Sequence, residues 1–431
     1  MRKAVLFLLI NYIISIVPPV STGLHKELNA NNNMIHFIKT GSSDSILIES
    51  NGRYGLVDTG NPYKNIEHEV EHVQIDESKG EVNQWTTDPD QSVQAVIDYL
   101  GYLKVNKLDF IIGTHAHSDH IGGVPAVAYY YVDENTKYYY REYRETREDT
   151  TQVDWANYKY YLAAVHSMQI KGAQLVDVTN QNVHFDFGDM HIELLNTDID
   201  PDELNLGENQ NSIVTLITFQ STKILLAADM IAKDDQKLKD YVGKIDVLKL
   251  AHHGYSESSY DFLKVTKPDN IVITNSKIIK YANQIINYLK YSLGSKVYMT
   301  EYVSKSSKSI PNSAIKLNLK GGSPQYEFIN TGKEVEPDPS VNGWSSWYDK
   351  WTYLVDGKTV KKWNYLEWSQ GKNMFYFDED GIMVVGWQKL EWDGGINWFY
   401  FYPENGSMAQ NCCITIDGKE YCFDENGCLI E

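Results

Sequence analysis

Directly after the apolar run Phe110-Ile111-Ile112, the chain reads Thr114-His115-Ala116-His117-Ser118-Asp119-His120-Ile121-Gly122. Three imidazoles and a carboxylate thus stand where a buried strand turns into a helix. His115 and His117, at i and i+2 on an extended turn, can point the same way, and Asp119 and His120 can reach a second ion beside the first. Neutral imidazole nitrogen and carboxylate oxygen suit Zn²⁺, although iron or manganese fill similar sites. A His-rich polar loop without metal is the competing reading, and the buried strand ahead of it argues against that.

The run His115, His117, Asp119, His120 resembles the signature of the metallo-β-lactamase fold superfamily. The stretch Phe37 to Ile48 is similar to the first two strands of that superfamily, with Asn51-Gly52 as a hairpin turn before Tyr54 to Gly60. Leu225 to Asp229 reads as a buried strand ending in a carboxylate, and the resemblance implies that Asp229 bridges two metals. The segment Asp246-Val247-Leu248-Lys249-Leu250-Ala251-His252-His253-Gly254, with Asn209 to Val214, resembles the subgroup of competence-type hydrolases and teichoic acid phosphorylcholine esterases. The resemblance implies a ligand from His253, with His252 as the alternative. It also gives Asp58 a supporting role, bonded to a ligand His or to metal-held water.

Two departures thin the expected coordination sphere. Many members carry a further ligand His before the bridging Asp, whereas His166 sits on a predicted helix and His184 and His191 flank the turn Phe187-Gly188-Asp189 on alternating strands. None of these is assigned. Where the subgroup carries Tyr-Gly-His-Pro, this chain has Tyr281-Ala282-Asn283-Gln284.

At 431 residues, two or three structural units are expected. Met1-Arg2-Lys3, the apolar stretch Ala4 to Val17 and the following Pro18-Pro19 read as a secretory signal over residues 1–23. That stretch is shorter than the roughly 20 residues of a membrane span, and no other segment could cross a bilayer. The net charge of −19, from 39 Lys plus Arg against 58 Asp plus Glu, disfavours a nucleic-acid partner. A run of Lys277, Lys280, Lys290, Lys296, Lys305 and Lys308 is the one basic stretch, read as a solvated face.

The last ninety residues differ in kind. Eight of the ten Trp lie between Trp344 and Trp398, and aromatic segments ending in Asp/Asn-Gly turns recur every 22 to 24 residues from Phe375 onward. Units this small cannot bury a core alone and must stack. The pattern resembles the choline-binding, or cell-wall-binding, repeats of Gram-positive surface proteins. Quaternary ammonium is held by the faces of Trp and Tyr at about 0.5 to 2 kcal/mol per contact, and the resemblance implies cages from Trp363, Trp368, Trp387, Trp392, Trp398 and Tyr400. Packing within and between the hairpins is the competing role, expected for half of these residues. Another wall polymer remains an alternative ligand.

All four cysteines fall in the last twenty residues. In an exported chain they are expected to form two disulfides, Cys412 and Cys413 each taking one of Cys422 and Cys428, with a zinc knuckle as the competing reading. A tyrosine-rich insertion from Tyr129 to Tyr161 reads either as a lid over the metals or as packing on the sheet. The acid-rich insertion Asn61 to Ser92, with Trp85, reads as a solvated loop and helix.

The expected fold is α/β, a four-layer αβ/βα metallo-β-lactamase sandwich over residues 24–331, a linker at 332–342 and a β-hairpin repeat solenoid at 343–431. The resemblance implies an exported, wall-associated phosphoric ester hydrolase with two Zn²⁺ per chain. Hydroxide carried by the metals would release phosphocholine from teichoic or lipoteichoic acid. A competence-like nuclease and a wall-binding protein with a decayed site are the alternatives.

Overall fold

The computed structural model describes residues 32–62, 92–143, 155–198, 207–255, 258–275, 282–300, 312–320, 324–347, 350–368 and 371–430. The predicted signal, most of the acid-rich insertion with Trp85, and Lys277, Lys280, Lys305 and Lys308 lie outside them. No described helix is long and apolar enough to cross a membrane.

Two eight-stranded mixed sheets form the body. In chain order the strands are β1 (Asn33–Ile38), β2 (Ile46–Ser50), β3 (Arg53–Val57), β4 (Phe110–Ile112), β5 (Lys137–Tyr140), β6 (Gln174–Asp177), β7 (Val183–Phe187), β8 (Met190–Leu195), β9 (Val214–Phe219), β10 (Thr222–Leu226), β11 (Val247–Lys249), β12 (Asn270–Ile273), β13 (Lys296–Met299), β14 (Ala314–Asn318), β15 (Gln325–Ile329) and β16 (Lys333–Glu334). The first sheet runs β15-β14-β1-β2-β3-β4-β5-β6 and the second β16-β13-β12-β11-β10-β9-β8-β7. The hairpin between β2 and β3 turns on Asn51 and Gly52, both at positive φ as a two-residue hairpin turn needs.

Strand periodicity sorts the core into three layers. Ile35 and Phe37 of β1, with Ile46, Ile48, Phe110 and Ile112, face Ile192, Ile217, Ile224, Val247 and Val272 of the other sheet. On the outer side of the first sheet, Leu47, Leu56 and Ile111 meet the helices Ser92–Tyr102, Val124–Tyr131 and Trp155–Ile170 through Val96, Val127 and Ala163. Outside the second sheet, Leu225, Leu248 and Ile271 pack under the helices Tyr260–Thr266 and Ala282–Asn287. Helix, sheet, sheet, helix is the expected four-layer order. Tyr138 and Tyr139 are buried in β5, and Tyr143, Tyr158 and Tyr161 gather beside Tyr140, so these tyrosines pack on the sheet rather than form a lid.

Four hairpins follow: Gly343–Trp347 with Lys350–Val355, Lys362–Trp368 with Gly371–Phe377, Gly386–Trp392 with Gly395–Phe401, and Cys412–Ile416 with Lys419–Phe423. Each leading Trp packs forward onto the next hairpin. Trp344 meets Phe375 at 4.9 Å, Trp363 meets Phe399 at 4.8 Å, and Trp387 meets Tyr421 at 4.8 Å between ring centroids. The indoles of Trp344 and Trp363 also donate to the carbonyls of Glu367 and Glu391, the same place in successive hairpins.

The first hairpin is irregular because it faces the sandwich. Trp347 stands where the next two hairpins carry Leu366 and Leu390, and it is wholly buried in the outer core of the second sheet, against Tyr260 and Tyr288. Its Nε1 donates to the Ser258 carbonyl at 2.8 Å. The segment between the units is seated too. Lys333–Glu334 pairs with β13, Val335 is buried, and buried Asn283 accepts from the Asp338 amide and donates to the carbonyls of Asp338 and Gly357.

The cysteine expectation needs correction. One disulfide forms, Cys413–Cys422, while Cys412 and Cys428 are free thiols. Register explains it, because Cys413 lies directly opposite Cys422 whereas Cys412 faces Phe423. The disulfide occupies the cross-strand position held by Trp387 and Tyr400, and by Trp363 and Tyr376, in the hairpins before it.

Candidate metal centre

The site lies where β3, β4, β10, β11 and β12 end, all on one edge of the sandwich. Five loops converge there. Asp58 follows β3, the His115 to His120 turn and the short helix Ser118–Ile121 follow β4, Asp229 follows β10, His252 and His253 follow β11, and Thr274 follows β12. Three of these loops hold non-glycine residues in the left-handed region: Asp58 (φ 58°), Ala228 (φ 47°), and His252 and His253 (φ 47° and 50°). Such backbone is costly and clusters where geometry is demanded by function.

Asp229 divides the donors into two groups. Its Oδ2 is 4.0 Å from His115 Nε2 and 3.7 Å from His252 Nε2, and His115, His117 and Asp229 form one set able to hold a cation. Its Oδ1 is 3.1 Å from His120 Nε2 and 3.6 Å from His253 Nε2, and with Asp119 these make a second set. His253 Nε2 lies 3.4 Å from Asp119 Oδ2.

Supporting bonds turn the imidazoles toward those sets. His120 Nδ1 is 2.7 Å from Asp58 Oδ2, and Asp58 is itself held by the amide and hydroxyl of Thr114 at 2.9 and 2.8 Å. His253 Nδ1 sits 3.1 Å from the Thr274 carbonyl. His115 Nδ1 lies 3.1 Å from the Thr114 hydroxyl. Engaging Nδ1 turns Nε2 of His120 and His253 toward the site, which is how proteins orient a metal ligand, while His115 Nε2 lies 3.0 Å from His117 Nδ1.

A cation fits this arrangement on structural grounds. His120 Nε2, His253 Nε2 and Asp229 Oδ1 are all buried and none has a hydrogen-bond partner, although His120 Nε2 and Asp229 Oδ1 are only 3.1 Å apart. Buried polar atoms without partners are costly, and here three point at one spot. A tetrahedral ion with bonds of about 2.0–2.1 Å would set its donors roughly 3.3–3.4 Å apart, close to the separations in this set.

Electrostatics in the metal-free protein follow from crowding. Burial would raise Asp229, but His120, His253 and Lys249 hold it well below the usual carboxylate range. Burial pulls His253 down, yet Asp229 and Asp44 lift it to about 9; His120 is likewise raised against burial by Asp229, Asp58 and Asp119. His115 goes the other way, lowered by burial and by His120 and His117. Burial raises Asp58, with the His120 interaction opposing.

The structure therefore brings together His115, His117, Asp119, His120, Asp229, His252 and His253, with Asp58 behind His120. His252 and His253 face opposite oxygens of Asp229. His166, His184 and His191 lie elsewhere; His184 and His191 are neighbours on the β7–β8 hairpin, with rings 5.6 Å apart. Sequence reading missed Asp44, Lys249 and Thr274. Asp44 Oδ1 accepts the Thr274 hydroxyl at 2.6 Å and is 3.4 Å from His253 Nδ1, and fully buried Lys249 pairs with Asp44 Oδ2. The available signal was a lone Lys inside the apolar run Val247 to Leu250.

In the tail, Trp368 meets Trp344 at 4.6 Å and Trp351 at 5.5 Å, both edge to face. Trp392 meets Trp363 at 5.2 Å, and Trp387 lies beside Trp398 and Tyr400 at 6.3 and 5.2 Å. Trp398 is 45% exposed with the Lys389 ammonium 5.9 Å from its ring centroid, so that face already receives a cation. Trp351, 38% exposed, completes the first aromatic group and was not anticipated.

The profile of the metallo-beta-lactamase superfamily matches residues 38–274, more than half of the chain. The chain belongs to this superfamily. Its members are metal-dependent hydrolases, and the two donor sets sharing Asp229 lie within the matched span. A choline-binding repeat profile matches residues 366–412. Recombination protein 2 of Haemophilus influenzae is 33% identical over 72 residues, 16% of this chain, and the chain spans 9% of the length of that relative. Among solved structures, YhfI of Bacillus subtilis, a metallo-beta-lactamase fold protein, has a TM-score of 0.39 and 14% identity, covering 64% of this chain and 98% of that one. Choline binding protein F of Streptococcus pneumoniae has a TM-score of 0.18 and 22% identity, covering 28% of this chain and 37% of that one.

Proposed function

We propose that this chain is an exported, zinc-dependent phosphoric ester hydrolase, a phosphorylcholine esterase acting on teichoic or lipoteichoic acid and kept at the cell wall by its repeats. One observation carries the reading: two donor sets sharing Asp229 occur on the same chain as choline-binding repeats. His115, His117 and His252 would hold one ion with Asp229 Oδ2, and Asp119, His120 and His253 the other with Asp229 Oδ1. When bound, a pair of such ions polarises a phosphoryl oxygen and makes water acidic enough to attack at neutral pH. The chain's own part is placement. Asp58 fixes His120, the Thr274 carbonyl fixes His253, and the aromatic groups of the tail would take choline by cation–π contact, raising the concentration of choline-bearing polymer near the site.

Purified, zinc-loaded protein should cleave p-nitrophenyl phosphorylcholine, and Asp119→Ala should abolish that turnover while leaving retention on a choline resin intact. If the substrate survives and DNA is cut, the reading fails in favour of a nuclease. The resemblance of Asn209 to Val214 to competence-type hydrolases favours that second reading, and the net charge of −19 weighs against it.

A further inference from the structure

We propose that Lys249 is a positioning residue for the bridging carboxylate Asp229, acting through the Ala228 carbonyl and through Asp44. The inference rests on the metal reading of this site and not on the identity of the ester. Lys249 ends β11 and is completely buried. Its Nζ donates to the Ala228 carbonyl at 2.8 Å, pairs with Asp44 Oδ2, and stands 3.7 Å from Asp229 Oδ1.

Ala228 is the hinge of the arrangement. It holds a left-handed backbone at φ 47° immediately before Asp229, a conformation in which the β-carbon crowds the chain. Its carbonyl accepts from both Lys249 Nζ and the His252 amide, the latter at 2.9 Å. One oxygen therefore ties the turn that aims Asp229 to the loop that carries His252 and His253.

Asp44 extends the same tie to the other loops. Its amide donates to the Asp119 carbonyl at 3.1 Å, its carbonyl accepts from Gly60 at 2.8 Å, and its carboxylate meets Thr274 and His253. Lys249 thus stands between Asp44, which touches the loops after β3, β4, β11 and β12, and the carbonyl that sets the turn after β10. Stability alone does not account for it, because exchanging a buried ion pair for apolar groups often leaves a protein as stable or more so. What an apolar pair could not do is hold the Ala228 carbonyl and bias Asp229 Oδ1 toward His120 and His253.

Co²⁺ titration of the full chain, followed by visible absorption and by the urea midpoint of the metal-free protein, tests this. Two variants are compared, Lys249→Met and the double variant Asp44→Asn with Lys249→Met, the second removing both charges so that neither is left buried alone. Both should bind Co²⁺ about 10–100-fold more weakly, the range for loss of a group that orients metal ligands. The visible bands should shift, and the double variant should keep a cooperative urea transition. Unchanged Co²⁺ affinity and spectrum in either folded variant would overturn the proposal, and so would the failure of both to fold, which would make the pair a folding element. An unaltered protein that binds no Co²⁺ defeats the underlying metal reading instead.

Discussion

Replacing Trp347 with alanine should destabilise the catalytic unit, although the residue belongs to the first repeat hairpin. The indole is wholly buried among residues of the second sheet's outer core and donates to the Ser258 carbonyl. A buried Trp removes about 150–250 Å² from water, worth roughly 4–6 kcal/mol at about 25 cal/mol per Å². Alanine recovers a small part of that area, and the lost hydrogen bond adds about 1 kcal/mol. That sum is an upper bound, because the unfolded chain already covers part of its apolar surface, and a net loss of about 3–5 kcal/mol is expected, the range of buried Trp truncations. Urea unfolding of the metal-free full chain, monitored by sheet circular dichroism, reads it directly. Trp398→Ala, at an exposed position of the third hairpin, serves as the control and should change the midpoint little. A Trp347→Ala protein within about 1 kcal/mol of the unaltered chain would refute the reasoning, since the indole would then be a surface contact.

Three further outcomes follow from the geometry. His253 is raised to about 9 by Asp229 and Asp44 against its burial, so it carries a proton at neutral pH in the metal-free protein. Its contribution to stability is full below about 6.5 and is lost as pH rises through 9. Zn²⁺ must displace that proton, and His120 in the same donor set is raised in the same way, so affinity should rise at least about tenfold per pH unit up to 9 with proton release on binding; calorimetric titration in two buffers at several pH values checks this, and a flat profile would contradict it. Alkylation of the unreduced, denatured chain should label two cysteines, Cys412 and Cys428, while Cys413→Ser should speed hydrogen exchange in residues 412–423 and leave metal binding alone; four labelled thiols would speak against the disulfide. Asn283→His should lower the thermal midpoint through the lost contacts to Asp338 and Gly357 without adding a metal equivalent; extra bound zinc would show that the position still faces the ions.

What could be read from the sequence was short-range. The spacing of His115, His117, Asp119 and His120 survives any uncertainty in topology, because one strand-to-helix turn sets it. Strand alternation in β1 and β2 likewise separates Ile35 and Phe37 from His36. Asp44 and Lys249 escaped because their meaning lies in a contact between residues about two hundred apart in sequence, which no local pattern encodes. The roles of His252 and His253 turn on two consecutive left-handed residues, a conformation that composition does not announce. The cysteine pairing failed for a related reason, since hairpin register, and not proximity in the chain, selects Cys413 and Cys422.

Where the resembled subgroup carries the imidazole of Tyr-Gly-His-Pro, this chain has Asn283, whose amide is committed to the backbone leading into and around the first hairpin. Those contacts make the joint between the two halves part of the body of the enzyme. Tails could be traded among such proteins only beyond this seam, at the second hairpin or later, because a cut at the seam would carry away both a clasp and a piece of the interior.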